Sequence, residues 1–221
     1  LLGHVGKYVP GKAMVIVLRA GALAHDGVRP LPATVSIFLE TFLMMAVGGT
    51  VAAFVVVWLP VPTWIVFMAL AAAACACLPT LPPILRIVAG KLIKTTPSGS
   101  NLQIGWPLFA AGWGWSLLSW LLIGASFSSV IAAIPSSTPL PATLELFAIG
   151  TAAISLAVVI GFASLIPGGA GVRELVLTTI LGVAIGPIQG LMAAIVTRVM
   201  HIAVEALLAG GSWLWLRRRR A

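Results

Sequence analysis

Long apolar runs, separated by short turns containing proline or glycine, make up most of this chain. The runs at about 33–59, 63–82, 106–134 and 142–166 each have the length of a membrane-crossing helix, which needs about 20 apolar residues. Between them lie a tight, uncharged turn at Pro60-Val61-Pro62, a basic interfacial segment and loop at 83–105 and an uncharged loop at 135–141. A final run, about 187–216, opens at Pro187 and ends on Arg217–Arg220. Residues 13–24 are apolar but short, and HDGVRPLP at 25–32 reads as a turn. Between the fourth and last runs lies PGGAGVRE at 167–174, followed by an apolar stretch to Gly186. The fifteen residues 172–186 reach about 22 Å as a helix, short of a ~30 Å hydrocarbon core. The pattern therefore predicts a half-helix entered through broken backbone at membrane depth. Such backbone survives only inside protein or beside a wet cavity.

Composition settles the class. Of 221 residues, 60% are hydrophobic and 8% charged, with a mean hydropathy of +1.13. A soluble domain carries about 25% charged residues. The chain is expected to be all-α, a polytopic transmembrane helical bundle forming one integral membrane domain over 1–221. A cytosolic enzyme and a disordered chain are excluded. The net charge of +8 does not make a nucleic-acid binder, because no soluble module presents a basic face.

The charge clusters orient the bundle. Basic residues crowd into 7–29, 83–94 and 217–220, whereas the turns at 60–62 and 135–141 are uncharged. The positive-inside rule assigns the basic segments to the cytoplasm, where they anchor against anionic lipid. This predicts a multi-pass protein of the inner (plasma) membrane with a cytoplasmic C-terminus. Cys75 and Cys77 lie within an apolar stretch and point apart on a helix, so they read as small core residues. The chain begins at Leu1, within a motif-like stretch, which reads as an N-terminal truncation.

An internal repeat is expected. Pro10-Gly11-Lys12-Ala13-Met14-Val15 matches Pro167-Gly168-Gly169-Ala170-Gly171-Val172 at four of six positions. At the same offset Leu18 matches Leu175 and Pro30 matches Pro187, and each of these prolines opens a long run. By the charge pattern Pro30 is cytoplasmic and Pro187 external, so the units are inverted. Unit one covers about 1–82, a basic connection about 83–105, unit two about 106–216 and a basic tail 217–221. Inverted, partly re-entrant repeats build many transporters, with the site at the repeat interface.

The remaining charges carry the chemistry. The proline and glycines of PGGAGVRE release the backbone from helical geometry, and the helix start that follows offers N–H groups and a dipole to an anion. Arg173 adds a bidentate fork suited to a phosphodiester. Glu174 pairs with a basic residue or binds a cationic substituent. The stretch GKYVPGK offers related parts in Lys7, Pro10, Gly11 and Lys12. Glu40 lies about ten residues into a run and needs a partner, with Arg198, Lys12 and Arg173 as candidates. Arg198, His201 and Glu205 are spaced i, i+3 and i+7, so they share one helical face, as a cavity wall, a proton relay or a structural ion-pair stripe. Glu145 reads as a solvated interfacial charge, and the tryptophans as belt or packing residues. His4 and His25 lack metal-ligand spacing, and no nucleotide, nucleophile-elbow or metalloprotease motif is present. Neither a cofactor nor a metal is expected.

GKYVPGK, Glu40 and IPGGAGVRE together resemble the transmembrane region of bacterial lysylphosphatidylglycerol synthases and their free-standing flippase-like relatives. The resemblance covers nearly the whole chain. It implies a polytopic inner-membrane domain of roughly eight helical segments that moves an aminoacylated phospholipid between leaflets; other relatives are associated with polyprenyl-linked sugar metabolism. Carry-over reaches Lys7, Pro10, Gly11, Lys12, Glu40, Pro167, Gly168, Gly169, Gly171, Arg173 and Glu174, and less securely Arg198 and Glu205. The helices that usually precede GKYVPGK and the soluble aminoacyltransferase domain are not in this chain, so the synthase reaction is not implied.

The expected function is lipid translocation. Arg173, Lys12 and helix N-termini would hold phosphate, and Glu40, Glu174 and Glu205 would neutralise those cations in the empty site. An alternative is a membrane transferase for lipid-linked aminoacyl or sugar groups, with Glu40, Glu174 or His201 as its only catalytic candidates. A third is an accessory subunit of a separately encoded aminoacyltransferase or glycosyltransferase. Expected partners are anionic or zwitterionic phospholipids, with a polyprenyl-linked lipid and a homo-oligomer left open, and no nucleic acid.

Overall fold

The computed structural model describes residues 30–57, 63–93, 105–135 and 139–220, and among these every regular element is helical. In chain order they are α1 (Pro30–Val56), α2 (Thr63–Cys77), α3 (Pro82–Ile93), α4 (Trp106–Ala133), α5 (Thr143–Ala163), α6 (Val172–Ala184) and α7 (Pro187–Arg220). Short 3-10 turns at Leu78–Thr80 and Pro167–Gly169 precede α3 and α6. Proline opens α1, α3 and α7. That position suits it, since its missing N–H would lack an intrahelical acceptor there anyway.

Four stretches are long and apolar enough to cross a membrane: Ser36–Val56, Trp106–Ala133, Thr143–Ala163 and Pro187–Gly211. They match four of the five long runs. The run at 63–82 departs from expectation. Its helix stops at Cys77, after 15 residues. Pro79 then falls in a 3-10 turn and Leu81 turns extended. Pro79, two residues past the helix end, cannot supply the N–H that would continue the ladder. The basic segment that follows becomes α3, with Arg86 exposed. The turn Pro60-Val61-Pro62 lies outside the described residues.

α5 is the hub. It packs against α1, α4 and α6; α1 also packs on α2 and α4, and α7 on α6 and α4. The buried face of α5 is built from small residues, including Gly150, Thr151, Ala152, Ala153, Ser155, Ala157 and Gly161. Apolar lipid gives no hydrophobic reward for helix contact, so close backbone approach must supply dispersion instead. The α4–α5 seam is reciprocal. A Cβ at Gly124 would run into Thr151, and one at Gly150 would lie 2.5 Å from the Ser128 hydroxyl. Phe127, Ile131, Leu146, Ile154, Leu177 and Leu181 fill the core beside that seam.

Many hydroxyls along the helices find their acceptors within the same helix, although the buried Thr197 Oγ1 has no partner among the described residues. Thr41, Thr50, Ser119, Ser129, Thr151 and Thr179 each donate to the carbonyl four residues back. Ser128 donates to Gly124 O at 2.8 Å and approaches Leu146 O across the seam at 3.3 Å. In lipid no water can take these bonds, so the helix must.

The tryptophans divide. Trp115 is 71% exposed, whereas Trp120 is 1% exposed. Trp120 lies against Gly48, where a Cβ would come within 2.5 Å of its ring, and its Nε1–H donates to Met44 O at 2.9 Å. Trp120→Phe keeps an aromatic ring in that space and deletes the bond. We expect it to cost about 1 kcal/mol, read as a modestly lower thermal midpoint in detergent with unchanged helix content. Cys75 corrects the expectation of two core cysteines, since it is exposed on α2. Cys77 is half-buried, with its thiol 3.1 Å from the Thr50 hydroxyl. Both cysteines are free.

Candidate functional site

The site is built at the junction of α5, α6 and α7. After α5 the chain reverses within eight residues by using left-handed backbone repeatedly. Leu165 has φ 59°, Gly168 62°, Gly169 65° and Gly171 80°. Glycine adopts this region without Cβ strain, which is why PGGAG can make the turn. Leu165 is the single non-glycine residue at positive φ among those described. Such a residue costs about 1–3 kcal/mol and persists where its surroundings hold it. Pro167–Gly169 forms the 3-10 turn, and Gly171 caps α6.

Arg173 is anchored to α5. Its Cγ and Cδ fill the space that side chains at Gly161 and Gly169 would occupy. A Cβ at Gly161 would lie 2.5 Å from Arg173 Cγ, and one at Gly169 would lie 2.8 Å from Cδ. The two glycine backbones also meet, with a Cβ at Gly169 only 3.0 Å from Gly161 Cα. The arginine stem therefore threads a slot between α5 and the turn, and the slot fixes where the guanidinium emerges. Arg173 is half-buried.

Glu174, the next residue, is tied in another direction. Its Oε2 accepts the Gly171 N–H at 2.8 Å, satisfying one of the donors that a helix start leaves without an intrahelical acceptor. Its Oε1 accepts the Arg198 guanidinium of α7 in an ion pair whose side chains are 31% (Arg198) and 20% (Glu174) exposed. Of the readings open for Glu174, pairing with a basic residue is the one the fold realises. Arg198 was a candidate partner for Glu40; the ion pair described for it goes to Glu174. Two consecutive residues thus staple the broken turn to two different helices.

α6 and α7 form a tight antiparallel hairpin. Gly186, at φ 96°, makes the reversal, and Pro187 starts α7. Gly190 is buried, and a Cβ there would lie 3.0 Å from Leu181 Cβ. Along α7, Ala193, Ala194 and Thr197 are buried, and Arg198, His201 and Glu205 are half-buried, while Val199, Met200 and residues 202–204 are exposed. The three polar residues do share one inward face, as their spacing predicts. α6 itself is 13 residues long, about 20 Å, so it has the length of a half-helix.

Other expected site residues lie elsewhere. Glu40 is exposed on α1, whose main neighbours are α2, α4 and α5. Glu145 is exposed in the first turn of α5, as read from the sequence. Lys7, Pro10, Gly11 and Lys12, and with them the first half of the repeat, lie outside the described residues. Among the described residues no group of three or more His, Cys, Asp or Glu is placed to hold a metal. Two positions were not anticipated. Gly161 makes half of the arginine slot, and its only sequence signal is a glycine inside an apolar helix, which often marks close packing. Gly190 marks the α6–α7 contact by the same weak signal. No family model matches the chain, and neither a characterised protein nor a solved structure matches it.

Proposed function

We propose that this chain is a lipid translocase of the flippase type, moving an anionic or zwitterionic lipid headgroup between leaflets while the acyl chains stay in the bilayer. The observation that carries the reading is the doubly anchored PGGAG turn. It gives a half-helix whose start is pinned to α5 through Arg173 and to α7 through Glu174–Arg198. A helix start with an arginine in its first turn favours a phosphate. Glu174 holds countercharge at the same place, so the cations are neutralised when no headgroup is present. His201 and Glu205 extend the polar face along α7. The resemblance to the lysylphosphatidylglycerol synthase transmembrane region supports the same reading, as does the inverted repeat read from the sequence. In this scheme the arginine-rich C-terminus faces the cytoplasm. No nucleotide motif is present in the chain, so movement is passive or ion-coupled.

The test is scrambling of labelled phospholipid in proteoliposomes of the full chain. Wild type should move label faster than empty vesicles. Arg173→Met keeps the slot filled and removes the charge; it should slow movement by about tenfold or more, the worth of one charge-assisted hydrogen bond. Glu40→Gln should slow it as well. If wild type matches empty vesicles and the variants match wild type, the reading fails, and the accessory-subunit alternative takes its place.

A further inference from the structure

We propose that residues 213–220 form a docking segment for an anionic lipid surface, hinged to α7 at Gly210-Gly211-Ser212. This inference is independent of the transport reading.

The first ground is length. α7 runs unbroken from Pro187 to Arg220, 34 residues, or about 51 Å. To keep its apolar part, 187–216, inside a ~30 Å hydrocarbon core, the helix would have to tilt by about 48°, beyond the usual range of about 0–40°. A span ended at Gly211 requires about 37°, near the top of that range. The residues after Gly211 therefore fall at or beyond the headgroup layer.

The second ground is chemistry. Trp213 and Leu214 are 49% and 54% exposed, and Leu207, about two turns earlier, is 75% exposed. An apolar surface of this kind is ill-suited to water. The sequence there is WLWLRRRR, two tryptophans followed by four arginines. Tryptophan prefers the headgroup level. Each arginine near an anionic surface favours the docked state by about fivefold. Charge complementarity thus selects anionic lipid as the occupant.

The third ground is the joint. Helices kink at glycine and serine pairs. Gly210 and Gly211 have no atom within 4 Å of where a Cβ would lie, so no packing opposes a bend. A bend there turns the last eight residues from the membrane normal toward the membrane plane.

The experiment uses the full chain with Cys75→Ser and Cys77→Ser, carrying a spin label at Leu214→Cys. It is reconstituted in vesicles of neutral lipid alone and of neutral lipid mixed with phosphatidylglycerol. In the mixed vesicles the label should collide with lipid-soluble oxygen and be shielded from an aqueous nickel chelate. Collision with the chelate should rise several-fold in neutral vesicles, and also when Arg217, Arg218, Arg219 and Arg220 are all changed to Gln. Gly210→Ala with Gly211→Ala stiffens the joint and should raise it too. The proposal is overturned if the label stays in water in mixed vesicles, or if its depth ignores both lipid charge and the arginines. Unchanged depth in the double alanine variant overturns the hinge. Dipolar broadening between labels would assign the segment to a second copy of the chain. Shielding that appears only on adding RNA would assign it to nucleic acid. Either result overturns the lipid assignment.

Discussion

Gly169→Val is expected to abolish the native site. At φ 65° the backbone sits where a β-branched residue is strained, at a cost of about 1–3 kcal/mol. The new Cβ would also press on Arg173 Cδ at 2.8 Å, Arg173 Cγ at 2.9 Å and Gly161 Cα at 3.0 Å. The last of these is backbone and cannot swing aside. Overpacking of this kind adds about 1–3 kcal/mol. Together the cost reaches about 4 kcal/mol, a large share of a typical 5–15 kcal/mol stability. Gly171→Ala isolates the two contributions. Gly171 has φ 80° and open space around it, so alanine there should cost about 1 kcal/mol from backbone conformation alone. Thermal midpoints in detergent, read by loss of the monodisperse peak, check both. If Gly169→Val is no worse than Gly171→Ala, the arginine slot is not tight.

The second large effect concerns Glu174 and Arg198. Breaking a fully buried pair costs about 3–5 kcal/mol. These side chains are 20% and 31% exposed, so screening lowers the expected loss to about 2 kcal/mol for Arg198→Met. Glu174→Met should cost about 1 kcal/mol more, because it also deprives the Gly171 N–H of its acceptor. The double variant should recover much of the loss, since neither charge is then stranded in an apolar surrounding. Strictly additive losses in the double variant would show that the two side chains are not energetically coupled. The same variants separate stability from transport. A double variant that is stable but inactive in the scrambling assay would assign the pair a role beyond holding the hairpin.

Much of the fold follows from one-dimensional rules. The limits of α1, α4, α5 and α7 lie within a few residues of the apolar runs, because membrane helices must satisfy every backbone group internally and so stay helical along the whole run. A short helix after a broken turn was legible from length: 172–186 is too short to cross, and α6 has 13 residues. The second run failed because hydropathy does not register what Pro79 does to the hydrogen-bond ladder. Cys75 failed for a related reason, since in an evenly apolar helix no pattern tells a lipid-facing side from a packed one.

At the site, the sequence marked charges better than their partners. Periodicity placed Arg198, His201 and Glu205 on one face, and that face does turn inward. Partner choice depends on which helices meet, and sequence spacing does not encode it. Hence Arg198 stood among the candidate partners of Glu40, while Glu174 was matched only to a basic residue without a number. The slot for Arg173 was also hidden, since Gly161 and Gly169 are eight residues apart with a chain reversal between them. Only the fold brings their backbones together.

The staple at Glu174 also imposes an order on assembly. Residues leave the ribosome from the N-terminus, so α6 is made before the arginine that neutralises its carboxylate. It is too short to insert as an independent span, and it begins with a charge whose counterion is 24 residues further on. α6 is therefore expected to settle together with α7, as a hairpin closed at Gly186. On this reading the two elements enter the membrane as one unit, because Glu174 meets its α7 partner only after Arg198 has been synthesised.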